Sequence, residues 1–312
     1  MKKMYLFCGA FVALLSSCST ENLENGDSSG FSSLNVSVNI SDKISDRVST
    51  RSAVANFQTE NIAVFVAGVG YSPSGVSNGK ATTIAGAGTI DSLLPIINIG
   101  QLVHVYGFYP SVAVVNPVAA STIPATVYAD QSFSAFDQTD YMYATQDADV
   151  SNAAPGVVLT FQHALAKLSF VVNKTATYAG AGTITQIKLS STPASTFLTG
   201  TGTMAISSGT FATLTGTTDL TLTGSAAINE IAGTAVNAFA LVAPLSTFPT
   251  SIVLTMTIDG QTYTGTIAGT ATSWDAGKDY TYTVTASGKT LVVSAVNITD
   301  WSPTTGGTAD AV

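Results

Sequence analysis

Residues 252–267 have the sequence Ile-Val-Leu-Thr-Met-Thr-Ile-Asp-Gly-Gln-Thr-Tyr-Thr-Gly-Thr-Ile. The Asp259-Gly260 pair in the middle favours a two-residue turn between antiparallel strands. We therefore predict a β-hairpin in which residues 252–258 pair with residues 262–267.

Short runs of strand-forming residues recur along the rest of the chain. They lie at 34–40, 61–67, 102–109, 157–161, 168–172, 184–189, 239–242, 279–285 and 290–298. Many short strands separated by turn residues are typical of antiparallel sandwiches. We predict an all-β fold with one domain over 34–163 and a second over 164–312.

The composition supports strands over helices. Charged residues make up 10% of the chain and hydrophobic residues 46%, whereas about 25% charged residues is usual. Exposed helices normally carry many Glu, Lys and Arg residues, and disordered chains are less hydrophobic. The net charge of −8 does not favour nucleic acid, which is bound by clustered Lys and Arg.

The N-terminus resembles a bacterial lipoprotein signal. Lys2 and Lys3 precede a short apolar run, which leads into Leu15-Ser16-Ser17-Cys18. A run of roughly a dozen residues is too short to span a bilayer but suits a signal-peptide core. We predict a signal peptide over 1–17, lipidation of Cys18, a flexible tether over 18–33 and anchoring in the outer membrane.

Removal of residues 1–17 also removes Cys8, and lipidation would use the thiol of Cys18, so that no thiol would remain for a disulfide or a metal site. No later apolar run approaches the ~20 residues of a transmembrane helix. The acidic residues of the tether resemble a surface-export signal, and an ordinary solvated linker is an equal alternative.

No catalytic or metal-binding pattern is present. The two histidines, His104 and His163, have no partner at metal-ligand spacing. We interpret both as structural and predict no enzyme activity, metal or cofactor. The densest acidic stretch is predicted to be a solvated loop; its members are Asp130, Asp137, Asp140, Asp147 and Asp149.

The strand at 34–40 places four apolar side chains on one face, Leu34, Val36, Val38 and Ile40. Arg47 and Arg51 follow in a polar segment of the kind that proteases cut readily. Cutting there would separate this strand from the body and open a groove for the strand of another chain. A permanent strand with solvated arginines is the alternative.

Seven segments together resemble the fimbrillin family of Bacteroidetes, the subunits of type V pili. They are residues 34–40, 50–65, 140–144, 161–168, 274–280 and 298–301, together with the lipobox at Cys18. The resemblance implies two transthyretin-like β-sandwich domains in tandem. It also implies lipoprotein export, cleavage after Arg51 (or Arg47), and polymerisation with other pilus subunits by strand exchange at the cell surface.

The C-terminal run 290–298 is our candidate donor strand, through Leu291, Val293, Val296 and Ile298. Two rival functions stay open. A glycan-binding surface lipoprotein would need an exposed aromatic platform, for which Trp274, Trp301, Tyr280 and Tyr282 are candidates, although we expect them in the core. A secreted hydrolase would need two carboxylates or a Ser/His pair in one cleft. Host proteins or glycans are further expected partners.

Overall fold

The structure is a computed structural model that describes residues 31–40, 61–67, 80–85, 89–90, 94–97, 103–110, 112, 120–150, 154, 156–192, 197–247, 249, 251–268, 273–287 and 290–301. Across these ranges the regular secondary structure consists of β-strands. The predicted all-β fold class is therefore confirmed. None of the described residues lies in a helix long and apolar enough to cross a membrane.

The strands are numbered in chain order. Up to His163 they are β1 (Phe31–Ile40), β2 (Asn61–Ala67), β3 (Lys80–Ala85), β4 (Thr89–Ile90), β5 (Leu94–Ile97), β6 (Val103–Tyr109), β7 (Thr122–Val127), β8 (Asp130–Ser132), β9 (Met142–Val150) and β10 (Gly156–His163). Those that follow are β11 (Ala166–Lys174), β12 (Thr183–Thr192), β13 (Phe197–Ala205), β14 (Phe211–Ala212), β15 (Thr215–Thr217), β16 (Asp219–Ala227), β17 (Ala238–Val242), β18 (Ser251–Ile258), β19 (Gln261–Ala268), β20 (Lys278–Ser287) and β21 (Thr290–Asp300).

One sheet contains most of the strands that precede residue 164. Its order is β10-β9-β6-β2-β3-β4-β1-β5. Because β1 also pairs with β10, the pairings from β10 through to β1 form a closed circuit. Closure of this kind removes free strand edges. β1 is therefore the strand that completes the N-terminal sheet.

Two sheets form a sandwich in the second half of the chain. Their orders are β17-β11-β20-β21 and β19-β18-β12-β16-β8. Between them lies the larger hydrophobic core, whose fully buried members include Leu168, Phe170, Ile187, Leu254 and Tyr282. Burial of a large apolar side chain contributes about 1.5–3 kcal/mol.

The hairpin predicted from residues 252–267 is formed by β18 and β19. Ile258 lies opposite Gln261, and Asp259 and Gly260 have φ angles of 52° and 75°. A type I′ turn requires positive φ at both central positions, which explains this dipeptide. The inward residues of β18 are fully buried; they are Ile252, Leu254, Met256 and Ile258.

The turn residue Asp259 also holds the start of β12 in place. Its carboxylate accepts hydrogen bonds of 2.8 Å from the backbone N–H groups of Thr183 and Gly182 and from the hydroxyl of Tyr178. Those bonds, led by the one from Thr183, hold the pKa of Asp259 below its ordinary value of 3.8.

We expect Asp259→Asn to weaken the protein at neutral pH more than in acid. Since the folded-state pKa of Asp259 is depressed, its carboxylate stabilises the fold above about pH 4, and this contribution is lost as the pH falls through the folded-state pKa. Asn still favours the turn but carries no such charge. Urea unfolding at about pH 7, 4 and 2.5 measures the difference in free energy of unfolding between the two proteins. A difference that is equal at every pH would contradict the expectation.

Most strand pairings are antiparallel, in line with the prediction, and three are parallel. The parallel pairings join β1 to β10, β11 to β20 and β8 to β16. A tight hairpin forces consecutive strands to run antiparallel, whereas strands far apart in the chain take either direction. Each parallel pair here joins strands that are distant in sequence.

β7 and β8 precede His163 in the chain but pair with strands that follow it. β7 runs antiparallel to β13, and β8 runs parallel to β16. A second core forms around them and around the turn between β10 and β11; its buried members include Ile123, Val127, Ala164, Leu165, Met204, Leu241 and Trp301. The division of the chain at His163 stays a prediction.

Candidate functional site

The strand predicted to leave on processing lies within β1. Its second half runs parallel to β10, from Asn35 opposite Gly156 to Ile40 opposite Phe161. Its first half, Phe31 to Leu34, is antiparallel to β5. The four predicted positions thus have backbone partners: Leu34 faces Leu94, Val36 faces Val157, Val38 faces Leu159, and Ile40 faces Phe161.

β10 has one buried face and one exposed face. Its burial alternates along the whole strand, and the buried residues are Val157, Leu159, Phe161 and His163. Phe161 lies directly over Gly107 of β6, where an added Cβ would come within 2.5 Å of the ring. The side chains of β10 therefore hold it on the core.

The backbone of β10 depends chiefly on β1. Six consecutive residues, 156–161, are in register with β1, while its pairing with β9 involves Gln162 and His163. Removal of β1 would leave the N–H and C=O groups on that side of residues 156–161 without strand partners. Such an edge is a template for another strand.

A buried polar cluster lies at the end of β10. The Nδ1 atom of His163 is 3.0 Å from both carboxylate oxygens of Asp140. The His163 ring stacks on Trp301 with a centroid distance of 4.0 Å and an angle of 17°. His163 is 2% exposed, and Asp140 and Trp301 are fully buried. The prediction that His163 is structural is consistent with this arrangement.

The prediction of a solvated acidic loop is wrong in two respects. Asp140 is buried against His163, and residues 142–150 form β9, which contains Asp147 and Asp149. Asp137 is exposed, as expected, and its carboxylate accepts hydrogen bonds from the N–H and hydroxyl of Ser132. The partner that stabilises Asp140 is 23 residues away, and sequence spacing does not reveal such a contact.

Backbone hydrogen bonds join the same region. The N–H of Ala164 donates to Tyr141 O at 2.8 Å, that of Gly277 to Leu165 O at 2.9 Å, and that of Trp301 to Gly277 O at 2.8 Å. Four of the segments that carry the family resemblance, 140–144, 161–168, 274–280 and 298–301, therefore meet at one junction.

A buried ion pair lies beside this junction. Nζ of Lys167 is 3.0 Å from Oδ2 of Asp279, with side-chain exposures of 5% and 9%. The two residues face each other across β11 and β20, and the Lys167 ammonium lies 5.1 Å from the Phe239 ring centroid. Nearer the surface, Lys278 pairs with Asp300. Sequence reasoning assigned no role to any of these charges.

An open pocket of about 330 Å³ adjoins the junction. Four of its polar side chains form two pairs, and the members of each pair are bonded to each other. The Tyr143 hydroxyl donates to Gln162 Oε1 at 3.1 Å, and Lys278 contacts Asp300. Among the described residues there is no group of three or more His, Cys, Asp or Glu side chains placed to hold a metal.

The candidate donor residues lie in β21, the last strand of its sheet. Leu291 is buried, Val293 and Val296 are partly buried against the C-terminal core, and Ile298 is 47% exposed. β21 pairs with β20 in two stretches that are separated by an irregularity between Tyr282 and Val284. The strand is thus docked in the sandwich, where Leu291 also lies close to Gly265 of β19.

The four aromatic residues considered for glycan binding are in the core, as expected. Trp274 stacks on Phe197 with a centroid distance of 5.7 Å, and its Nε1 donates to the Tyr282 hydroxyl at 2.9 Å. Burial raises the pKa of Tyr282 and of Tyr280. Together with Trp301 they are 1% exposed or less, so they form no surface platform.

Two buried glutamines have roles that the sequence did not indicate. The Gln131 side chain bonds to both the N–H and the C=O of Leu241 in β17, at 3.0 and 2.7 Å. Gln138 does the same for the N–H of Tyr128 and the C=O of Thr126, at 2.8 and 3.0 Å. Each amide replaces a strand partner, and no local sequence pattern marks such a residue.

The predicted lipidation and processing residues lie outside the described residues. They are Cys18, Arg47 and Arg51. Their roles stay predictions, although the strand that precedes the arginines is placed in the sheet as described above.

Comparison with known proteins matches residues 47–301 to the fimbrillin-like family model. Among solved structures, the chain is similar to a proposed cell adhesion protein from Bacteroides ovatus, with a TM-score of 0.62, 17% identity and coverage of 87% of this chain and 98% of that one. A second such protein, from Bacteroides uniformis, has a TM-score of 0.58 and 17% identity, with coverage of 87% of this chain and 99% of that one. A fimbrial protein from Bacteroides vulgatus has a TM-score of 0.55 and 15% identity, with coverage of 86% of this chain and 99% of that one.

At these identities the structural likeness establishes the fold. A comparison with curated protein sequences gives no significant match. The family assignment therefore rests on the family model, which spans most of the chain.

Proposed function

This chain belongs to the fimbrillin-like family, and from that membership we propose that it is a structural subunit of a surface pilus. In this proposal it is exported as an outer-membrane lipoprotein, cleaved after Arg51 or Arg47 and polymerised by strand exchange, and it contributes to adhesion. It has no catalytic role. Its partners are other pilus subunits, with host proteins or glycans as further candidates.

The position of β1 is the observation that supports the proposal most directly. β1 completes the N-terminal sheet, yet the arginines follow within eleven residues of its end at Ile40. Cleavage after either arginine would leave β1 attached by non-covalent contacts alone. The six positions of β10 that it vacates would then accept a strand from another subunit.

The C-terminal strand is the proposed donor. β21 is the last strand in its sheet order, so its release would break backbone pairing with β20 together with the packing of Leu291 in the core. Its apolar residues alternate in part with polar ones, as an inserted strand requires. The rival glycan-binding function receives no support from the aromatic residues first considered for it, because all four are buried.

N-terminal sequencing of the protein isolated from the cell surface tests the proposal. Cleavage after Arg51 gives a chain that starts at Ser52, and cleavage after Arg47 gives one that starts at Val48. A surface form that still begins at the lipidated Cys18 and is assembled into pili would refute strand displacement.

Cys18→Ala is expected to release the protein from the membrane. Acyl chains contribute about 0.8 kcal/mol for each buried CH₂ group, and stable anchoring needs more than one chain. Without the thiol no lipid is attached, and the protein should appear in the soluble periplasmic fraction. Fatty-acid labelling and membrane fractionation measure this, with Ser17→Ala as the control that keeps the thiol. A labelled, membrane-bound Cys18→Ala protein would show that the lipobox assignment is wrong.

A further inference from the structure

The proposed acceptor strand and the end of the proposed donor strand meet at one side-chain contact. His163 is the last residue of β10, the parallel partner of β1. Trp301 directly follows β21. We define the strand-end clamp as Asp140, His163 and Trp301. The Asp140 carboxylate contacts the His163 imidazole, and the imidazole stacks on the Trp301 indole. The clamp therefore connects the acceptor strand to the end of the candidate donor strand.

The clamp depends on how firmly β10 is held. Six residues of β10 pair with β1, whereas its pairing with β9 is confined to Gln162 and His163. Loss of β1 removes the strand partner of residues 156–161, while His163 keeps its pairing with Met142 of β9 and its contact with Asp140. A shift of the unpaired backbone at 156–161 would be carried to the adjoining His163 ring and would change its contact with Trp301.

The fold also limits how far release of β21 would extend. The pairing irregularity near Val284 divides β21 into residues 290–293, which face 284–287, and residues 296–300, which face 278–282. Leu291 in the first stretch is buried, while Ile298 in the second is 47% exposed. The second stretch is the one that ends at Trp301. It is held by pairing with β20, by the Trp301–Gly277 hydrogen bond and by the clamp.

We propose that the strand-end clamp couples β10, the partner of β1, to the end of β21, so that departure of β1 loosens residues 296–301 and prepares them for donation. The inference rests on the proposed strand exchange and adds its regulation. An uncleaved subunit keeps both its groove filled and its donor end fastened. A cleaved subunit becomes acceptor and donor together, which would suppress premature pairing before export is complete.

Hydrogen exchange on the uncleaved mature chain, carrying Cys18→Ser, tests this coupling without polymerisation. Val38→Pro disrupts β1 where it pairs with Leu159 of β10. The matched control is Ser33→Pro, which lies in the half of β1 that pairs with β5. We expect Val38→Pro to speed exchange at 296–301 by about tenfold, in the usual range of coupling between sites, and Ser33→Pro to change it less than twofold.

A double-mutant cycle identifies the clamp as the route. His163→Ala alone should speed exchange at 296–301, and Val38→Pro should then add less than twofold. Trp301 fluorescence gives an independent reading, because Trp274→Phe leaves it as the sole tryptophan of the chain. Acrylamide should quench Trp301 more strongly in both Val38→Pro and His163→Ala.

Three results would overturn the proposal: unchanged exchange at 296–301 in Val38→Pro, equal effects of Val38→Pro and Ser33→Pro, or full additivity with His163→Ala. Exchange at residues 183–189 of β12 monitors global unfolding. If exchange at 183–189 rises as much as exchange at 296–301 in Val38→Pro, the milder Val38→Gly must speed exchange at 296–301 alone, or the coupling is refuted.

Polymerisation of wild-type protein with no coupling in the monomer would reject the clamp and leave strand exchange standing. Coupling in a protein that never polymerises would support the clamp and reject strand exchange.

Discussion

The variant Arg47→Ala with Arg51→Ala is expected to remain a lipidated monomer. Without cleavage β1 stays covalently attached, and its pairing with residues 156–161 leaves no groove for an incoming strand. In polymers joined by inserted strands, each inserted strand is hydrogen-bonded and buried along its length, and such joints resist SDS at room temperature. The measurement is therefore the ladder of bands on unheated gels, which should disappear in the double variant.

Lys43→Ala is the matched control for the arginine variant, because it removes a positive charge from the same segment and leaves both proposed cleavage residues in place. It should retain the full ladder. Ladders in the double-arginine variant that equal those of wild type would refute cleavage at either arginine as the trigger.

Lys167→Met should lower the free energy of unfolding by about 3–5 kcal/mol. The substitution keeps most of the aliphatic volume but leaves the Asp279 carboxylate buried with no cation 3.0 Å away. An unpaired buried charge is among the most destabilising changes in a protein interior. Urea unfolding of the monomer at neutral pH measures the loss.

Two comparisons separate the charge effect from packing. Lys188 is also 3.0 Å from its partner Asp219, but these side chains are 38% and 40% exposed. Lys188→Met should therefore cost less than about 1 kcal/mol. Lys167→Met combined with Asp279→Val removes both charges and should recover most of the stability. A double variant no better than Lys167→Met would show that the pair is not the source of the loss.

The junction shows why local sequence patterns predicted the strands but not the contacts between them. Alternation and turn residues predicted the β18–β19 hairpin and placed strands at β2, β12 and β21, because these signals depend on neighbours in sequence. Asp140 was assigned to solvent, since nothing within its own segment indicates a histidine partner 23 residues later. Gln131 and Gln138 were overlooked for the same reason.

The sequence by itself determined the fold class and, through the resemblance of residues 34–40, 50–65, 140–144, 161–168, 274–280 and 298–301, the family to which the chain belongs. Period-two alternation and a positive-φ turn are properties of short segments, and they need no knowledge of the rest of the chain. The sequence also marked residues 34–40 as an amphipathic strand beside two arginines.

Only the tertiary structure decided which strands pair. It made β1 the parallel partner of β10, buried Lys167 against Asp279, and set Trp301 on the ring of His163. Strand direction is free wherever no hairpin constrains it, and a buried charge finds its partner on a neighbouring strand that is distant in sequence. These contacts join residues more than 100 positions apart, as in the pairing of residue 35 with residue 156, and they depend on the whole chain having folded.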